Sequence, residues 1–314
     1  QISDVHLSPR FEHYLRKACL CASRKIRPAF VIFSGDNSGG DTVSAHKEFL
    51  AAAKKNLKVP FFVLPGDNWP QNFCKVFPAT SWSFECGGIL FLGSSLDREG
   101  GEGVGVFDPE TFAVLRRELS KKPDFPFVYV QHEPCFPPAF LDAAKLRELF
   151  RKKGNVVLAL SGHLHTDLEA REGLTTYLTA PALGPHPEHG FKVIEVYRSC
   201  LVGRTAAYVD GRYRLKKVFQ KISIPRRLKI KVKGPIKIRN WRRLGCRERV
   251  FDPSLRKRFS ELAAQLTAFA IKEGYGKELI EAFLKKQTQP TKRKEGYHKS
   301  KEKEKPEAGS QVRP

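Results

Sequence analysis

Methionine is absent from all 314 residues, and the first residue is Gln1. That predicts a native start upstream, where a targeting segment would go unseen. Also absent is any apolar run approaching the ~20 residues that span a bilayer. Nothing near Gln1 reads as a signal peptide, because Asp4, His6 and Arg10 interrupt the apolar residues there. The seven cysteines, Cys19, Cys21, Cys74, Cys86, Cys135, Cys200 and Cys246, contain no Cys-x-x-Cys pair. An odd, scattered set argues against a zinc finger or a disulfide framework, and for a reduced, cytoplasmic chain with buried thiols. Wholesale disorder is excluded, since 41% hydrophobic and 11% aromatic residues suffice for a core. The length suggests about two domains.

Acidic residues are scarce in one stretch. Residues 1–185 hold 22 basic against 20 acidic residues, close to neutral. Residues 198–258 hold 21 against 3, and residues 288–314 hold 8 against 4. A near-neutral body is therefore followed by a strongly basic segment and a charged tail.

The body alternates short apolar runs with helical patterns. The runs lie at 29–34, 59–64, 89–92, 127–131 and 156–161; the helical patterns at 44–55, 109–120 and 141–152. Continuous apolar strands alternating with helices predict an α/β domain with buried sheets. From Gly190 the pattern turns to strands at 191–196 and 205–209. Asp210-Gly211 then signals a hairpin into 212–219. Basic and apolar residues alternate at 229–233 and 236–239, predicting strands with one cationic face. Amphipathic helices are expected at 254–272 and 277–286, and the tail from 288 to 314 reads as disordered.

The chemistry lies where the apolar runs end. In order come Asp4-Val5-His6, Gly35-Asp36, Gly66-Asp67-Asn68, Gln131-His132 and Gly162-His163-Leu164-His165. Sites in such folds sit at the carboxyl ends of strands. Mixed carboxylate and imidazole donors suit Mn, Fe, Zn or Ni. Asp-x-His or His-x-His places both side chains on one side of an extended segment, and a carboxylate such as Asp36 can join two ions. Two ions roughly 3.5–4 Å apart hold a phosphate and acidify a water between them, which attacks phosphorus in line. Gly-Asp alone is often a turn, and a single His132 is more often a satisfied core residue. The five motifs in sequence carry the argument. His13, His46 and His298 fit surface positions; His186 and His189 lie near a proline-rich loop and can line the pocket or do nothing.

These motifs resemble the calcineurin-like metallophosphoesterase superfamily, whose order is D-x-H, G-D, G-N-H-D/E, H and G-H-x-H. The resemblance covers about residues 1–196 and is closest to the branch containing class III cyclic-nucleotide phosphodiesterases. It implies a four-layer α/β/β/α sandwich (residues 1–197) with a dinuclear centre. Beyond it come a basic β-rich extension (198–250), C-terminal helices (251–287) and a disordered tail (288–314). By the resemblance, Asp4, His6, Asp36 and His165 hold one divalent metal. Asp36, His132, His163 and an oxygen from the third motif hold the other. That motif departs from the family: ungapped, Asp67 is the ligand and Asn68 replaces the histidine. A one-residue slip makes Asn68 the ligand and Trp69 the replacement. The slip is slightly preferred because it keeps the amide. Neither alignment supplies the histidine, a loss of general-acid help typically worth ~10²–10⁴ in rate.

The expected function is hydrolysis of a phosphodiester or phosphomonoester by a metal-bridging hydroxide. Asp36, Asn68 and His163 sit at the catalytic centre, with Asn37 and His165 toward the substrate. One alternative is a nucleic-acid-associated phosphoesterase or nuclease, with residues 198–258 holding the polyanion and Tyr208, Tyr213 and Trp241 stacking on bases or joining the core. The other is a catalytically weakened metal-binding interaction module.

Overall fold

The computed structural model describes residues 1–258, apart from 69–70, 102, 137–138, 187, 229 and 231–235, together with residue 268. In chain order the elements are α1 (Glu12–Cys21), which runs into a π-helical turn at Ala22–Ile26, then β1 (Val31–Ser34), α2 (Val43–Asn56), β2 (Phe61–Leu64) and a 3-10 turn at Phe73–Lys75. There follow β3 (Ser81–Cys86), β4 (Ile89–Ser94), β5 (Arg98–Gly101), β6 (Val104–Val106), α3 (Pro109–Ser120), β7 (Phe127–Val130), α4 (Ala143–Lys153) and β8 (Val156–Ser161). The last are β9 (Glu169–Glu172), β10 (Thr175–Thr179), β11 (Gly190–Val196), β12 (Cys200–Val209), β13 (Arg212–Ser223), β14 (Arg239–Gly245) and β15 (Val250–Phe251).

Two sheets lie face to face. One runs in the order β14-β3-β4-β7-β8-β10-β9, with β4, β7, β8 and β10 parallel. The other is assembled around residues 1–4. Ile2 bridges in parallel to Phe33 of β1, while Gln1 and Lys192 of β11 exchange two hydrogen bonds at 2.8 and 2.9 Å. The parallel pair β1-β2 is thereby joined to the antiparallel β11-β12-β13.

Side-chain alternation builds the layers. Leu90 and Leu92 of β4 point out to Leu115 of α3 and Leu146 of α4, while Ile89 and Phe91 point in between the sheets. On the far side Val31 and Phe33 meet Leu15 of α1 and Phe49 of α2, while Ile32 points inward. The result is the expected α/β/β/α sandwich, with strands buried on both faces. Phe33 is fully buried and meets Phe49 edge-on at 5.0 Å; truncating such a ring typically costs about 3–5 kcal/mol. Thr42 caps α2 by accepting from the Ala45 amide at 3.0 Å, and α3 starts on Pro109, whose missing N–H is no loss in a first turn. The Asp210-Gly211 turn has positive φ at both residues, as a two-residue hairpin requires.

Three expectations are corrected. Residues 198–250 do not stand apart as an extension: β12 and β13 complete one sheet, and β14 is the edge strand of the other, paired with β3. The strand expected at 236–239 lies at Arg239–Gly245 instead, because that stretch finds its pairing partner in Ser81–Glu85. The thiols are not all reduced: Cys74 and Cys246 form a disulfide, a bond ordinarily rare in a reducing cytosol. Cys19, Cys86 and Cys135 are buried and free, as expected. No helix among the described residues is long and apolar enough to cross a membrane. Residues 253–258 are helical; the rest of the C-terminal helices, almost all of the strand at 229–233, and the tail lie outside the described residues.

Candidate metal centre

Parallel strands place their carboxyl ends at one edge of each sheet, and the two edges face each other across one cleft. Asp4 and His6 leave the 1–4 segment, Asp36 follows β1, Asp67 follows β2, His132 follows β7, and His163 and His165 follow β8. The structure brings all seven together. His165 Nε2 lies 3.1 Å from Asp4 Oδ1, and His6 Nε2 lies 3.4 Å from Asp36 Oδ2. Asp67 Oδ1 lies 3.0 Å from both His132 Nε2 and His163 Nδ1. His132 Nε2 is also 3.6 Å from Asp36 and 3.8 Å from Asp4. Among the described residues three groups could hold a cation: Asp4–His6–His165, Asp67–His132–His163 and Asp4–Asp36–His132.

The backbone is strained at these residues. Asp4, His6, Asp36, His163 and His165 all have φ between +43° and +66°. Non-glycine residues held there cost of order 1–3 kcal/mol each and persist where the surrounding structure demands them. Glycine is required at close approaches. A Cβ on Gly35 would fall 2.2 Å from His132 Nδ1, and one on Gly103 2.0 Å from His163 Cε1. Gly103, in the β5–β6 turn, covers His163. Nothing in the motif order points to it.

Asp4, His6, Asp36, His132 and His163 are buried. Burial, then the charges of Asp67 and Asp4, push the Asp36 carboxyl up to about 7. For His132, burial alone would lower the pKa. The carboxylates of Asp36, Asp4 and Asp67 outweigh it and raise the imidazole to about 10. The cluster thus holds protons that isolated groups would release, because carboxylates and imidazoles crowd together away from water. The donor set fits divalent cations of the Mn, Fe, Zn and Ni type.

In the third motif Asp67 faces the imidazoles of His132 and His163. Asn68 turns to Asp36, its backbone N–H donating to Oδ1 at 2.9 Å and its side-chain amide donating to Oδ2. Asn37 is buried, and its amide donates to the Leu64 carbonyl at 2.8 Å. His46, expected on the surface, is buried against Phe73 and Phe77, with Nε2 donating to the Gln71 carbonyl. His186 lies near enough to His165 for their charges to interact, which, after burial, lowers its pKa. His189 stacks on Tyr14 instead. Tyr213 is core and Tyr208 is held by Lys17; Trp241 is 41% exposed. A cavity of about 830 Å³ lies elsewhere. It opens between β1 and β11, is lined by residues such as Phe30, Ile32, Phe91 and Leu201, and touches none of the seven.

No family model matches the sequence, and no curated protein matches it. Solved structures do. GAP50, the anchor in the inner membrane complex of Plasmodium, matches with a TM-score of 0.55 at 15% identity, over 83% of this chain and 93% of that one. The chain has the calcineurin-like metallophosphoesterase fold. Vps29 from Cryptosporidium parvum matches at TM-score 0.44 and 12% identity, over 71% and 96% of the two chains. A predicted phosphoesterase from Streptococcus pneumoniae TIGR4 gives 0.39 and 12%, over 71% and 95%. Identities this low establish the fold alone.

Proposed function

We propose that the chain is a phosphoesterase working with two divalent cations. Asp4, His6 and His165 would hold one, Asp67, His132 and His163 the other, with Asp36 between them. The observation that carries the reading is the pairing of two three-residue donor groups across Asp36 and His132. Cations bound there supply Lewis acidity, polarising a phosphoryl oxygen and acidifying water.

The chain's own residues do the rest. His132 Nδ1–H donates to the Ser34 carbonyl at 2.9 Å, which aims the Nε2 lone pair inward. Asp4 Oδ2 accepts the His163 amide at 3.0 Å, pinning one oxygen and leaving Oδ1 toward His165. Asn68 fixes both oxygens of Asp36 in the same manner. Asn68 also stands where the family pattern has histidine, and an amide cannot act as a general acid. Substrates with good leaving groups are therefore favoured. Charge points the same way. Three carboxylates, Asp4, Asp36 and Asp67, against two dications would leave one net positive charge, which the attacking hydroxide would cancel, so a phosphodiester monoanion is tolerated better than a phosphomonoester dianion.

The test is Mn²⁺-dependent hydrolysis of bis-p-nitrophenyl phosphate and p-nitrophenyl phosphate. The diester is expected to be cleaved faster, His163→Ala to abolish turnover, and Asp67→Asn to shift preference toward the monoester. No Mn²⁺-dependent turnover of either ester, or turnover surviving His163→Ala, would overturn the reading. Single-stranded RNA compared at two salt concentrations tests the polymer alternative. Several of its cations are already engaged internally, among them Arg242 with Glu118 and Arg247 with Glu110.

A further inference from the structure

Behind each half of the centre lies a buried basic side chain that the motifs do not include. Arg249 belongs to the basic stretch, yet it is 4% exposed. Its guanidinium donates to Glu133 Oε1 at 2.5 Å and to Glu99 Oε2, the Leu96 carbonyl and Ser95 Oγ, each at 3.2 Å. Glu133 directly follows His132. Glu99 lies on β5, in the hairpin whose Gly103 covers His163. The segment carrying Arg249 is strapped on either side. Cys246 is bonded to Cys74, the Thr80 amide donates to the Gly245 carbonyl, and the Val250 amide donates to the Asp97 carbonyl. The Asp67 carboxylate is near enough to act on the Arg249 charge.

The other half has a counterpart. Lys192 of β11 is 1% exposed and is ion-paired to Asp167, which also accepts the Thr205 hydroxyl. Asp167 lies two residues past His165. The two braces come from different segments of the chain.

We infer that Arg249 is a positioning residue for the Asp67–His132–His163 half of the centre, while Lys192 serves the Asp4–His6–His165 half. This rests on the dinuclear reading above. Arg249 ties the loop holding His132 to the hairpin roofing His163, so the spacing of those imidazoles depends on it. A segment that composition marks as a polyanion-binding face thus spends one of its cations completing the centre. Partners that orient ligands from behind are typically worth 10–100-fold in metal affinity.

Isothermal titration with Mn²⁺ in two backgrounds tests this. With His165→Ala leaving the Asp67 half intact, Arg249→Lys is expected to weaken the remaining Mn²⁺ 10–100-fold. With His163→Ala leaving the Asp4 half, the same substitution should change affinity less than twofold. Lys192→Met with Asp167→Asn should show the reverse pattern. Equal losses in both backgrounds would make Arg249 a general brace of the fold and overturn the inference, as would no loss in either. If Arg249→Lys does not fold, Arg249→Met combined with Glu99→Gln and Glu133→Gln removes the buried charges together and is read the same way. An unsubstituted chain that takes up no Mn²⁺ overturns the functional reading itself, and this inference with it.

Discussion

Filling the centre with cations should expel protons, and the number depends on pH in a way the structure sets. In the cation-free chain Asp36 titrates near 7 and His132 near 10, both raised. A raised group holds its proton below its folded pKa, so a cation taking its place must displace that proton. At pH 6 both are protonated, and both protons leave on full loading. At pH 8.5 Asp36 is already ionised and fewer protons leave. Overall Mn²⁺ affinity should therefore rise more steeply with pH near 6 than near 8.5. Titration calorimetry in buffers of different ionisation enthalpy counts these protons directly. Asp67→Asn removes a charge that raises both groups, so it should lower the number released. Release of no protons at pH 6, or affinity flat between pH 6 and 8.5, would refute the reasoning.

Gly103→Ala places a Cβ 2.0 Å from His163 Cε1 at a φ of +74°. It should weaken the Asp67-half cation while leaving the melting temperature of the cation-free chain within a few degrees, checked by titration and scanning calorimetry. Reduction of Cys74–Cys246, 172 residues apart, removes a cross-link worth up to ~5 kcal/mol by loop entropy. The midpoint of urea unfolding should fall accordingly, and thiol counting under denaturing conditions should find five free groups before reduction and seven after.

The sandwich and its polar strand ends were legible because both depend on local pattern. α3 begins at Pro109 and ends at Ser120 as read, since proline suits a helix's first turn and the apolar spacing runs on from it. β8 matches at both ends because six apolar or small residues run straight into Gly162. What was not legible depends on distant partners. β14 takes its position from pairing with β3, and Arg242 finds the buried Glu118, 124 residues away. Asp67 and Asn68 can both offer an oxygen, and the family's amide favoured Asn68 in sequence. Only the turn after β2 shows Asn68 facing Asp36 and Asp67 facing the imidazoles. Arg249 carried no signal, because its carboxylate partners lie 116 and 150 residues earlier.

Anomalous scattering from crystals soaked in Mn²⁺ goes most directly to the centre. Two peaks roughly 3.5–4 Å apart are expected, one against Asp4, His6 and His165, the other against Asp67, His132 and His163, with Asp36 touching both. Density for manganese anywhere but among these seven side chains, or none at all, would contradict the account.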